Sequence, residues 1–242
     1  MAANATIVNS EVLFTSDKLP VKVTGMQAMA GKMWMPFIGM GFMIVVVAFI
    51  IGLFASSAAA DYFSFSKSVR EAAGTGSDLA TKKAFIESTK VWLPTLKFLG
   101  LGMILGGVTF LLATILGALR TGGGRVQEAL GVDVKIIKPP MTAQLFPMFM
   151  MMGMMLLVAS VIIGIVLATL TYDYWNHSIA TQLNPSTSGL LADLGTINAV
   201  KLWLEPFKFA GMALLLTGIG LALATIVRVL RWQSTRLWDI LK

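Results

Sequence analysis

The chain contains no cysteine and a single histidine, His177, in 242 residues. The first absence removes disulfides, thiolate metal sites and iron–sulfur clusters, and leaves the redox compartment open. The second removes a bis-histidine haem within one chain. A lone histidine just beyond an apolar run reads as a solvated loop residue. Charge is scarce as well: 13% of the residues are Asp, Glu, Lys or Arg, against about 25% in soluble domains. Lipid rather than water is therefore the expected solvent for most of the surface. The opening residues, "MAANATIVNSEVLFTSDKLPVK", show no basic stretch followed by an apolar core, so no cleavable signal peptide is expected.

What is present is apolar: 56% of the residues are hydrophobic. Four uncharged runs are long enough to cross a bilayer, which takes roughly 20 helical residues. They are Pro36 to Ala60, Phe98 to Leu119, Met141 to Tyr172 and Phe209 to Val227. The third is overlong, and the breaker "KPP" (Lys138 to Pro140) sets its span at about Leu145 to Tyr172. The runs are continuous rather than alternating, which predicts helices instead of barrel strands. No Asp, Glu, Lys, Arg or His lies inside any of them. Proton relays, ion-coupled transport and voltage sensing use ionisable groups at that depth, so those functions are not expected, and neither is an enzyme. The net charge of +7 is carried beside the apolar runs. Anionic headgroups, not nucleic acid, are its expected partner.

The chain repeats itself. "TKVWLPTLKFLGLGMILGGVTFLLATILGALRTGGGRVQEAL" (Thr89 to Leu130) lies without a gap over "VKLWLEPFKFAGMALLLTGIGLALATIVRVLRWQSTRLWDIL" (Val200 to Leu241). Lys90 falls on Lys201, Trp92 on Trp203, Lys97-Phe98 on Lys208-Phe209, and Gly100 on Gly211. Upstream, Asp61-Tyr62 falls opposite Asp173-Tyr174, and Pro36 opposite Pro147 after a one-residue slip. The expected fold class is an all-α integral membrane protein: four transmembrane helices, built as a tandem duplication of a two-helix unit. Two helices return the chain to its starting side, so the repeats are parallel and related by a pseudo-twofold axis along the membrane normal. The expected organisation is a polar segment over 1–32, a first repeat over 33–130, a linker over 131–143 and a second repeat over 144–242.

Basic residues set the orientation. Lys18, Lys22, Lys32, Arg120, Arg125, Lys135, Lys138, Arg228, Arg231, Arg236 and Lys242 fall on one side, eleven against eight on the other. Both termini are therefore expected in the cytoplasm, in a prokaryotic cell membrane. The outer segments, Asp61 to Lys97 and Asp173 to Lys208, each leave at Asp-Tyr-aromatic and return through Lys-x-Trp-Leu and Lys-Phe. Trp92 and Trp203 suit the headgroup layer, and each return is expected to form a short interfacial helix.

Small residues supply the candidate helix contacts. Gly102 and Gly106 have GxxxG spacing, and Gly220 and Ala224 repeat a small-xxx-small spacing in the second copy. Such faces let helix backbones approach where no hydrophobic drive between helices exists. "TGGGR" (Thr121 to Arg125) lacks the spacing of a phosphate loop and reads as a flexible joint. Arg120, Arg125 and Glu128 match Arg231, Arg236 and Asp239. The spacing fits a helix carried past the membrane with i,i+3 ion pairs, offering these arginines to anionic lipid or to a partner.

"PMFMMMGMM" (Pro147 to Met155) puts six methionines into nine residues. Thioethers bind Cu(I) but also fill apolar space pliably. Only Met151 and Met154 have counterparts in the first copy, Met40 and Met43, which narrows any metal site to those four. The i,i+4 spacing of Met148/Met152, Met150/Met154 and Met151/Met155 resembles the MxxxM pair of eukaryotic copper importers. The methionine-rich external tail of that pattern is missing here, so the resemblance ends at the spacing.

The expected function is a non-catalytic integral subunit that packs against and stabilises a larger membrane complex, such as an energy-converting or oxidising enzyme. Its expected partners are the bilayer, bound lipid and other integral subunits in a hetero-oligomer, with no catalytic residue and no cofactor. The rival reading is a small passive channel or Cu(I) conduit between the repeats.

Overall fold

The computed structural model describes residues 12–15, 25–137, 140–184 and 188–241. Lys18, Lys22, Lys138 and Lys242, counted above for orientation, lie outside them, as do two residues of the "KPP" breaker and most of the N-terminal segment. Helix dominates. The elements run β1 (Val12–Thr15), α1 (Gly25–Ser64), α2 (Lys67–Glu71), α3 (Asp78–Ala129), β2 (Lys135–Ile137), α4 (Met141–Trp175), α5 (Ile179–Gln182) and α6 (Ser188–Leu241). Helices α1, α3, α4 and α6 are each long and apolar enough to cross a membrane.

All four helices outrun the apolar runs that predict them. Each return through Lys-x-Trp-Leu, Lys90 to Leu93 and Lys201 to Leu204, lies well inside α3 or α6, so the expected short return helix is part of a long one. The short helices α2 and α5 lie nearer the exits instead. "TGGGR" is not a joint either, because α3 passes through it and ends at Ala129. The glycines accommodate a neighbour: a Cβ on Gly123 would collide with the Gln233 side chain, whose amide donates to the Leu119 carbonyl (2.7 Å). Helix α3 stops one turn later. Gly131 takes φ +68°, while the Gly131 and Val132 N–H groups donate to the carbonyls of Glu128 and Gln127. That left-handed closure is the glycine motif that ends helices.

The linker is tied down by one side chain. Buried Gln127 donates to the Lys135 carbonyl (3.1 Å) and accepts from the Lys135 N–H (2.9 Å). The next residues pair antiparallel with β1, Thr15 opposite Lys135 and Val12 opposite Ile137. This small ribbon is an addition to the all-α expectation.

The chain divides into two compact units, 1–38, 105–152 and 214–242 in one, and 39–104 and 153–213 in the other. Each unit draws on all four long helices. In the first, Leu116, Phe146, Ala222, Val229 and Trp232 form the core, and Thr142 and Thr225 share a 2.7 Å hydrogen bond between α4 and α6. Here a Cβ on Gly107 would fall 2.9 Å from the Trp34 carbonyl oxygen of α1, and one on Gly218 3.2 Å from the Phe146 carbonyl oxygen of α4. In the second, Val91, Leu167, Tyr174, Ile197 and Leu204 form the core. Gly41 meets the α3 backbone at Gly100, Gly211 meets α4 at Gly153 and Leu157, and Thr95 fills the notch at Gly164. Helix–helix contact in an apolar solvent relies on such close approach, because dispersion must replace the missing hydrophobic drive.

Candidate functional site

The second unit holds a cleft of about 290 Å³. Its floor comes from the end of α1, where Asp61 is the first charge after the apolar run. Tyr62 beside it is buried and Phe63 is exposed. One wall is α2, which brings Lys67, Arg70 and Glu71; another is the start of α3, with Lys83, Ile86 and Glu87; Ile179 of α5 closes the last side.

The cleft walls are fastened by hydrogen bonds between the outer segments. The Gly76 N–H donates to the Asn176 carbonyl (3.0 Å), the Ser178 N–H to Thr75 Oγ1 (2.9 Å), and the Thr81 hydroxyl to Asn176 Oδ1 (3.3 Å). Gly76 takes φ +72° there, a turn that a side chain would strain. Lys82 joins Asp61 (2.6 Å) to Asp78 (2.7 Å), tying the end of α1 to the start of α3. Its hydrogen bond to Asp61 is the main reason its pKa is raised.

The cations in the cleft are not equivalent. Lys67 pairs with Glu71 at 3.7 Å, and Glu87 is taken by Lys90 at 2.7 Å. Arg70 and Lys83 have no carboxylate within 4 Å among the described residues. The Arg70 guanidinium lies instead over Tyr62 (5.2 Å) and Phe63 (4.9 Å), with its Nε buried and lacking a hydrogen bond. The Lys83 ammonium sits 4.0 Å from the Trp175 ring. Burial holds the Lys83 pKa below the ordinary lysine value, and Arg70 adds to that, while Glu87 and Glu71 oppose it.

The residues selected from sequence fall elsewhere. Met40, Met43 and Met151 are 51%, 60% and 64% exposed, and Met154 is half-buried. Gly102 and Gly106 are buried, but around Gly220 the space where a Cβ would stand is open, and Ala224 is exposed. The tight approaches belong to Gly41, Gly100, Gly107, Gly211 and Gly218. Trp92 is half-buried and Trp203 exposed, with Phe207 edge-on to it at 5.7 Å.

Arg125 and Arg231 are exposed, and Arg236 is half-buried. Neither Arg125–Glu128 nor Arg236–Asp239 closes to 4 Å among the described residues, which corrects the expected i,i+3 pairs. Exposed pairs of this kind gain little over hydrated ions, at most about 1 kcal/mol. Arg120 is half-buried and lines a cavity of about 10 Å³ beside Trp232 and Gln233. His177 closes the end of α4, its Nδ1 2.8 Å from the Asp173 carbonyl oxygen.

The cleft cations entered the sequence reading only as charges for orientation. The usable signal was the run of basic residues, Lys67, Arg70, Lys82 and Lys83, that follows Asp61-Tyr62-Phe63 on one outer segment. Compared with protein-family models, with curated proteins and with solved structures, the chain matches none.

Proposed function

We propose that the chain is a non-catalytic integral membrane subunit that packs against and stabilises a larger membrane protein complex. The observation that carries this reading is the bare face of α1. Only 11% of its most apolar window is buried, against 28–33% for α3, α4 and α6. Pro36, Met40, Met43, Val47, Ile50 and Phe54 are all exposed. They recur in alternating steps of four and three, the spacing with which one helix meets another. Phe42 and Phe49 flank the row, also exposed.

The duplicated plan belongs to the same proposal. Phe98 and Phe209 occupy matched positions in the two copies, and their rings meet edge-on at 5.1 Å. Contact between matched residues is what an axis relating two copies produces, which supports a pseudo-twofold pair of two-helix units; the excess of basic residues beside the termini supports placing both on the cytoplasmic side. An energy-converting or oxidising membrane enzyme is the kind of complex envisaged.

Purification of the full chain from native membranes in mild detergent tests the proposal. The expected result is a stoichiometric integral partner whose retention is lost when Ile50 and Phe54 are both changed to Ala, with the melting temperature of the chain unchanged. A stable monomer with nothing co-purifying would overturn it.

A further inference from the structure

From the cleft at the end of α1, we infer a binding site for a phosphoryl group, held between Arg70 and Lys83. The reasoning is independent of the subunit proposal.

Three observations converge. First, the two carboxylates of the lining are already engaged, Glu71 by Lys67 and Glu87 by Lys90. Arg70 and Lys83 line the cleft with no carboxylate within 4 Å among the described residues, and Glu87 and Glu71 act on Lys83 only from farther off. Second, both are positioned by aromatic faces instead of by counter-ions. Arg70 stacks on Tyr62 and Phe63, and Lys83 stands over Trp175. The Tyr62 and Phe63 rings stand at 81° to each other, so they hold the guanidinium without engaging its N–H donors in an ion pair, and a guanidinium suits a tetrahedral oxyanion.

Third, the size and depth fit. About 290 Å³ approaches the lower end of small-molecule sites, roughly 300–1,000 Å³, and exceeds what a bare ion needs. The floor residue Tyr62 follows the apolar run of α1 by two positions, which sets it where a membrane helix meets the headgroup layer. A phospholipid headgroup and a water-soluble phosphate ester share the required chemistry, and both reach that depth.

The test uses the full chain in detergent, titrated with short-chain phosphatidylglycerol, with glycerophosphate and with inorganic phosphate, and read by native mass spectrometry and calorimetry. Saturable binding of at least one probe is expected. Arg70→Gln and Lys83→Gln should each weaken it by roughly 10–100-fold, as loss of a charge-assisted hydrogen bond implies. Lys32→Gln, on the exposed surface of the other unit, should leave it unchanged. Helix content by circular dichroism shows whether each variant is folded. Should the Gln variants fail to fold, Arg70→Lys keeps the charge without the fork and should still weaken binding several-fold. Tight binding of phosphatidylglycerol alone assigns the site to lipid, whereas equal binding of glycerophosphate assigns it to a soluble ester. No saturable binding of any probe, or unaltered binding in folded Arg70 and Lys83 variants, overturns the inference.

Discussion

In the first hairpin, a Cβ placed on Gly41 would stand 2.6 Å from the Gly100 carbonyl oxygen and 2.9 Å from the Ile104 nitrogen. In the second, a Cβ on Gly211 would meet the Gly153 carbonyl oxygen at 3.2 Å and Leu157 Cδ2 at 3.0 Å. Gly100 and Gly211 occupy matched positions in the sequence, and a Cβ on each would lie at a similar distance from the facing carbonyl oxygen, 3.0 Å from Gly41 and 3.2 Å from Gly153; the tighter spot is Gly41 itself. The neighbours also differ in kind. Gly41 and Gly100 face each other, so a methyl on Gly41 would meet the α3 main chain at Gly100 and Ile104, with the Ile104 side chain beside it. Opposite Gly211, Leu157 intervenes, and a leucine can change rotamer where a carbonyl cannot move. Gly41 thus makes a rigid contact and Gly211 a yielding one. Helix α1 gains little else from its neighbours, since most of its apolar surface faces outward, so the glycine seam carries a large share of its attachment.

Gly41→Ala should therefore have the largest effect. The added methyl meets main-chain atoms of α3 and forces the helices apart. Overpacking of this kind costs about 1–3 kcal/mol, partly offset by the roughly 0.5–1 kcal/mol that alanine gains over glycine inside a helix. A lower midpoint of unfolding in a denaturing-detergent titration is the expected readout. An unchanged midpoint would show that α1 is held by something other than this seam.

Gly211→Ala sharpens the comparison. Its neighbours need to yield only a few tenths of an ångström, so the clash and the gain in helix propensity should nearly cancel, leaving less than about 1 kcal/mol in either direction. A loss equal to that of Gly41→Ala would mean that the two hairpins are equally rigid and would break the distinction drawn between them.

Much of this architecture is visible in the chain before any coordinates. Uncharged runs of membrane-spanning length locate the four long helices, since backbone groups in lipid must be satisfied within the segment. The helix ends were less visible, because packing of Gln233 on Gly123 holds α3 helical through "TGGGR" against the low helix propensity of glycine. The glycine contacts were half visible. Spacing along one helix shows that Gly102 and Gly106 share a face, but not which face the neighbour approaches. That depends on the rotation of both helices, and it selected Gly107 for contact with Trp34 and Ile38. The cleft was hidden for a related reason. Arg70 and Lys83 are 13 positions apart, and they converge only because the turn at Gly76 and the bonds to Asn176 fold the outer segment back.

Gly220→Ala is the smallest effect and tests spacing against geometry most directly. Gly220 and Ala224 form a small-xxx-small pair, which predicts a helix contact at that face. Among the described residues, nothing outside Gly220's chain neighbours and its own helix backbone lies within 4 Å of the position a Gly220 Cβ would take, and Ala224 is exposed. Alanine there meets nothing within the chain and relieves the conformational freedom of glycine, so stability should rise by up to about 0.5–1 kcal/mol. The titration used for Gly41→Ala reads this as a small upward shift of the midpoint. A loss of 1 kcal/mol or more, the size of overpacking, would mean that α6 meets a helix at this face after all. Made in the isolated chain and again in native membranes, the measurement separates a face open to lipid from one filled by another subunit: a gain in the first and a loss in the second would place a partner helix on Gly220.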